Sequence, residues 1–212
     1  MSIGIAVRRA AGPLEPKLAN LYRSFFFDVE DFAARLADLG QFQDVLEIGC
    51  GEGAVLTALS GRMPQTRFVG IDTSAACGRL YAGDAMRAQF HTQTAQSLAS
   101  THRESFDLVL IGDVLHHVPA ALQPRIILAA ASMLRPAGRL VIKEWIRKPT
   151  PIYWLGYLSD RFITGDRIQY FSREQWIADA TSCAPGLRLE REWSLKPWAS
   201  NHAIVFSVVR SG

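Results

Sequence analysis

The apolar positions fall into runs of two kinds. Residues 45–48, 68–71, 106–111 and 139–144 are short and almost continuously apolar, as expected of strands buried on both faces. Residues 18–39 instead return Leu21, Phe25, Val29, Phe32 and Leu36 at intervals of three and four, which predicts a helix stopped by Gly40. Residues 54–60 predict a short helix ended at Gly61-Arg62-Met63-Pro64, and residues 77–87, with two glycines inside, a further one. A third strand is expected over 88–92 and a helix over 126–134, with Arg135-Pro136-Ala137-Gly138 turning into the fifth strand. This repeated β-α order implies a parallel sheet covered by helices on both faces, an α/β fold. Beyond it, residues 173–180 read as a helix with Ser172 placed to cap it and Gln175 three residues on. Residues 187–195 and 202–209 read as an antiparallel strand pair that closes one edge of the sheet.

The chain is organised around Val45-Leu46-Glu47-Ile48-Gly49-Cys50-Gly51-Glu52-Gly53. A buried strand there turns sharply into a helix near Ala54, and the glycines strip every other Cβ from the turn, so that a ligand can lie on bare backbone. Read as Gly49-x-Gly51-x-x-Ala54, the same stretch satisfies the dinucleotide fingerprint, and a glycine-rich strand-to-helix turn with no ligand is a further reading of it. Asp72 ends the second strand about twenty residues further on, where a carboxylate can accept the two hydroxyl protons of a ribose. Capping the next helix is the competing role for Asp72, and one side chain can do both.

Composition narrows the classes. Of 212 residues, 49% are hydrophobic and 20% charged, which suits one soluble α/β domain with a substantial core. The net charge of +3 is far from the basic face of a nucleic-acid binder. Cys50, Cys77 and Cys183 form no CxxC pair or zinc pattern, which points to a reducing compartment. The order of charge and apolar residues at the start is wrong for a secretory signal, and no apolar run reaches eighteen residues, so a cytoplasmic location is expected.

Four segments, in this order, resemble class I S-adenosylmethionine-dependent methyltransferases of the small-molecule branch. They are the glycine-rich stretch above, Val69-Gly70-Ile71-Asp72, Phe106-Asp107-Leu108-Val109 with Val114-Leu115-His116-His117-Val118, and Leu134-Arg135-Pro136-Ala137-Gly138-Arg139-Leu140-Val141-Ile142. The resemblance implies a Rossmann-like three-layer sandwich with a seven-stranded, mostly parallel sheet of order 3-2-1-4-5-7-6, only the last strand antiparallel. It implies one domain over 1–212: a helical cap at 1–40, a cofactor-binding core at 41–144, an aromatic acceptor-side segment at 145–186 and a closing strand pair at 187–212. The implied cofactor is S-adenosyl-L-methionine, leaving as S-adenosyl-L-homocysteine. Gly49, Cys50, Gly51 and Gly53 would lie against its methionine and ribose portion, Glu47 would hold the amino group, and Asp72 the ribose. Thr73, Thr94 and Ala95 would meet the adenine, and Gly112 and Asp113 would sit near the sulfonium. Thr94 stands where an acidic residue is usual, and its hydroxyl is a weaker acceptor than a carboxylate. Ala137 stands where glycine is frequent.

Methyl transfer is an in-line displacement, so alignment can supply much of the catalysis, and a base is needed only where the acceptor must shed a proton. His116 and His117 are the candidate bases, with Asp113 placed to orient either; a scaffold role for His117 competes. A metal-assisted mechanism needs clustered carboxylates and an asparagine past the fourth and fifth strands; Asp113 and Glu144 are present but no asparagine follows, so no metal is expected. An Asn-Pro-Pro-Tyr-type motif is missing from residues 111–114, which argues against adenine in nucleic acid. Trp145, Tyr153, Trp154, Tyr157 and Tyr170, with Tyr22 as a lid residue, suggest a small apolar or aromatic acceptor, with an acyl tail or carrier as a variant. Ordinary core packing competes for half of these, and contact with a membrane or a protein partner through the same surface is a further reading. Two other classes stay open: a nicotinamide-dependent oxidoreductase, which lacks a Tyr-x-x-x-Lys pair, and a binding protein that keeps the fold without turnover.

Overall fold

The computed structural model describes residues 24–147 and 170–209. Seven strands form one sheet in the order β3-β2-β1-β4-β5-β7-β6. They are β1 (Asp44–Ile48), β2 (Arg67–Asp72), β3 (Ala88–Thr92), β4 (Phe106–Gly112), β5 (Leu134–Trp145), β6 (Leu187–Ser194) and β7 (Asn201–Val208). β7 pairs antiparallel with both β5 and β6, so it alone runs against the rest, as expected.

Alternate residues of the central strands feed two separate cores. On one face Val45, Leu108, Leu110 and Val141 pack against α1 (Val29–Ala37) and α2 (Ala54–Arg62) through Phe32, Leu36, Leu56 and Leu59. On the other, Leu46, Val109, Ile111 and Ile142 meet α3 (Ala95–Ala99), α4 (Gln123–Met133) and α5 (Arg173–Cys183). Leu36, Leu56 and Leu59 are wholly buried, and each such side chain contributes about 1.5–3 kcal/mol. The capping box at Ser172 and Gln175 is present, and α5 runs three residues past the expected end.

Three local expectations fail for identifiable reasons. The helix expected over 18–39 is broken within the described residues: Ser24–Phe26 are helical, Phe27 and Asp28 are not, and α1 starts afresh at Val29. Asp28 Oδ1 accepts from Asp31 N at 2.9 Å and its own N–H donates to Lys196 O at 2.9 Å, so it is an N-cap inside an unbroken apolar period. No helix forms over 77–87 beyond a 3₁₀ turn at Ala85–Arg87. Gly78 N–H and Leu80 N–H instead donate to Gly51 O and Glu52 O, at 2.9 Å each, so this segment packs on the glycine-rich bend. β5 starts at Leu134 rather than 139, the extra residues being absorbed by a register shift between Phe106 and Leu108, with Ala137 in the left-handed region at φ 62°. A side chain there costs about 1–2 kcal/mol that glycine avoids. Among the described residues no helix is long and apolar enough to cross a membrane.

The amino ends of four strands are tied by charge. Arg135 of β5 donates to Asp107 Oδ1 at 2.9 Å and Asp44 Oδ2 at 2.8 Å, and Arg67 of β2 makes two bonds to Asp44 at 2.7 and 2.8 Å. The Asp107 carboxylate also accepts the Gln43 and Asp44 amides. Arg67 lowers the Asp44 pKa, with Arg135 adding to it against the opposing effect of burial. For Asp107 burial pushes upward, but Arg135 and the two amides outweigh it and the net shift is downward. Both folded-state values lie below the unfolded ones, so this stability is complete above about pH 4 and is lost as pH falls through the lowered values. Thermal melts should therefore show Arg135→Gln costing no more than about 1 kcal/mol at pH 7, with the gap to the unmodified protein closing as pH drops below 4; parallel curves would contradict the assignment.

Candidate active site

The bend after β1 holds three left-handed glycines, Gly49 (φ 74°), Gly51 (φ 51°) and Gly53 (φ 91°). Gly49 and Cys50 both donate to Ile71 O, at 2.7 and 3.0 Å, which stitches the bend to the end of β2. The three glycines do different things. A Cβ on Gly49 would overlap a Val114 methyl, and one on Gly53 would come 3.1 Å from Tyr81 Cβ. Only the Gly51 Cβ direction meets nothing within 4 Å, so Gly51 presents bare backbone to open space. Gly112, at the end of β4, is open in the same way.

Asp72 stands at the tip of β2 facing this opening. Its Oδ2 accepts from Gly51 N–H at 2.9 Å and its Oδ1 from Ser74 N–H at 2.7 Å. The carboxylate is thereby aimed, while each oxygen retains a lone pair for a ligand hydroxyl. No helix follows for Asp72 to cap; it braces the bend instead. Thr73 beside it is exposed, and Glu47 is buried beneath the bend. Cys50 turns its thiol away, to 3.5 Å from Cys77 Sγ, and burial pushes that thiol far above the ordinary range. Thr94 spends its hydroxyl on the Ser97 amide at 3.2 Å as the N-cap of α3, with Ala95 buried behind it.

The ends of β4 and β5 assemble the acid–base groups. Glu144 is 1% exposed. Its Oε1 accepts the amides of Val114 (3.1 Å) and Leu115 (2.7 Å), and its Oε2 pairs with His116 Nδ1. Gln123 Nε2 donates to Leu115 O at 2.9 Å and Val118 O at 3.0 Å, so the 3₁₀ turn Leu115–His117 is held from both sides. His116 is itself buried, with the rings of His117 at 4.0 Å and Tyr170 at 5.4 Å. In the tautomer that gives Nδ1–H to the carboxylate, Nε2 is the basic nitrogen of the ring.

Asp113 does not orient His116 directly. It takes a left-handed conformation (φ 55°), its N–H donates to Lys143 O at 2.9 Å, and its Oδ2 pairs with the Lys143 ammonium. Single donor atoms of Asp113, His116 and Glu144 nonetheless lie within 4.8 Å of one another. The clustering that the sequence left unassembled therefore exists, with Asp113 matched to an ammonium and Glu144 to two amides and an imidazole. His117 is exposed. Trp145 is buried, its ring 6.2 Å from that of Phe26. Tyr22, Tyr153, Trp154 and Tyr157 lie outside the described residues. Sequence reasoning passed over the pairing of Lys143 with Asp113 and of Glu144 with His116. The available signal was two adjacent charges inside the apolar run Leu140-Val141-Ile142-Lys143-Glu144-Trp145, which strand geometry sends to opposite faces.

Comparison with known proteins gives the family and the fold. A family model described as "Methyltransferase domain" matches residues 22–181. The ubiquinone biosynthesis O-methyltransferase of Xanthomonas campestris pv. campestris (strain B100) is 32% identical over 119 residues, which is 55% of this chain and 48% of that protein. That of Sodalis glossinidius is 28% identical over 111 residues, covering 50% and 43%. The chain thus spans about half the length of the curated relatives it matches. Among solved structures, an O-methyltransferase family protein from Burkholderia thailandensis superposes with a TM-score of 0.71 at 17% identity, covering 94% of this chain and 61% of that one. The 1,6-didemethyltoxoflavin-N1-methyltransferase of the same organism, solved with S-adenosylhomocysteine, gives 0.66 at 15% identity, covering 97% and 87%. The family match displaces the dinucleotide reading of the glycines. Its sheet order, its glycine bend and its matched residues together make this chain a member of the methyltransferase-domain family, with the class I fold.

Proposed function

We propose that the protein transfers a methyl group from S-adenosylmethionine to a hydroxyl of a small, partly aromatic acceptor, with His116 as the general base. The observation that carries this is the buried His116–Glu144 pair standing at the same sheet edge as the Asp72-braced bend. When bound, the cofactor would supply an electrophilic methyl on a sulfonium. The open backbone at Gly51 and Gly112 leaves room for a ligand against the main chain, and Asp72 is the acceptor for ribose hydroxyls. Glu47 is the buried acid for the amino group, and Thr94, already capping α3, offers the adenine only its remaining lone pair.

A hydroxyl is a poor nucleophile until it loses its proton, so a base is required for this acceptor. His116 takes that proton at Nε2, and Glu144 both fixes the ring and stabilises the imidazolium. Of the aromatic residues expected around the acceptor, Tyr170 stands beside His116 and Trp145 packs on Phe26. The O-methyltransferases among the relatives support oxygen as the atom modified.

Isothermal titration should give S-adenosylhomocysteine binding that Asp72→Ala weakens at least tenfold, about 1.4 kcal/mol; no binding, or indifference to Asp72→Ala, would overturn the cofactor assignment. Against a panel of phenolic acceptors, His116→Ala should retain S-adenosylhomocysteine affinity within a factor of about two while kcat falls about 10²–10⁴-fold. Unchanged turnover would leave alignment as the sole source of catalysis.

A further inference from the structure

Lys143 is 1% exposed at the end of β5, an expensive place for an ammonium. Its partners are the Asp113 carboxylate and the face of Phe27, whose ring centre lies 4.0 Å from Nζ. A methionine of similar volume would avoid the desolvation, and buried ion pairs replaced by apolar groups often lose nothing in stability. The pair therefore calls for a role other than holding the fold.

The groups around His116 supply one. Facing it among the described residues are Glu144 of β5, Asp113 at the end of β4, His117 in its own turn and Tyr170 ahead of α5. Across the β5–β7 ladder from Glu144 stands His202, which is engaged with Glu192 and, through it, Arg173. Two carboxylates thus lie within 4.8 Å of one buried imidazole. Both acting unopposed would stabilise the imidazolium and leave His116 protonated when a base is needed. Asp113 also keeps Oδ1 buried without a hydrogen-bond partner among the described residues, so its hold on the left-handed turn comes through Oδ2 and Lys143.

We propose that Lys143 is a positioning residue whose ammonium fixes the Asp113 carboxylate and cancels one of the two negative charges around His116, keeping that imidazole neutral at physiological pH. This rests on His116 acting as the base. Glu144 is left as the single counter-charge, which is what a dyad needs to favour imidazolium in the transition state without trapping it in the resting enzyme.

The test is the titration of the His116 ring followed by NMR, assigned by its disappearance in His116→Gln, which needs no acceptor. In Lys143→Met the midpoint should rise by about one pH unit; in Asp113→Asn, which leaves the ammonium unopposed, it should fall. The double variant should return close to the unmodified value, and Lys143→Arg, which keeps the charge, should stay near it. An unmoved midpoint in Lys143→Met, or a fall in it, overturns the proposal. Should Lys143→Met not fold, Asp113→Asn decides alone, an unmoved or raised midpoint being the overturning result. Where turnover is measurable, the acid limb of kcat/KM should follow the same order. S-adenosylhomocysteine titration of the unmodified protein separates the two claims: its failure strikes the methyltransferase reading, whereas the midpoints judge only Lys143.

Discussion

The site depends on the stitching of the bend after β1 to the tip of β2. Ile71 O receives two consecutive amides of the bend, and Asp72 Oδ2 receives a third from Gly51. Consecutive N–H groups can converge on a neighbouring strand only if the chain between them visits left-handed conformations, and three glycines make that inexpensive. The same bonds aim the Asp72 carboxylate. Backbone geometry and ligand chemistry are therefore one constraint here, and β1, with β2 and β4 on either side, places the bend at the centre of that sheet edge.

Much of this was legible because it is local. A continuous apolar run, a glycine at every second position and an acid at the end of the next run all report on neighbours in sequence. What escaped depends on partners far along the chain. The segment after Asp72 has helical composition but gives its amides to Gly51 and Glu52, a choice no window of its own sequence records. Asp28 interrupts a sound apolar period because Lys196 O and the Asp31 amide suit a cap there. The dyad was half visible: His116 was a candidate base, but Asp113, three residues away, was the nearer orienting acid in sequence. In space that partner is Glu144, 28 residues on, because β5 lies beside β4.

Lys143 and Glu144 show how a strand end can divide labour. Adjacent side chains point to opposite faces, yet both serve the loop that leaves β4, one through Asp113 and the other through His116 and two amides. Neither charge would be tolerated in the sheet interior. At its carboxyl edge, where backbone amides and a turn come within reach, each finds a partner.

Three hydrogen bonds tie remote parts of the polypeptide together. Trp198 Nε1 donates to Phe25 O at 2.6 Å, Asn201 Nδ2 to Phe26 O, and Asp28 N–H to Lys196 O, so residues 25–28 rest on the connection between β6 and β7. Phe27, which roofs the Lys143 ammonium, is carried on that short stretch. The connection is thus a foundation for a ring that shields charge some fifty residues upstream of it, and surgery on an outlying hairpin would reach the chemistry by loosening its ceiling.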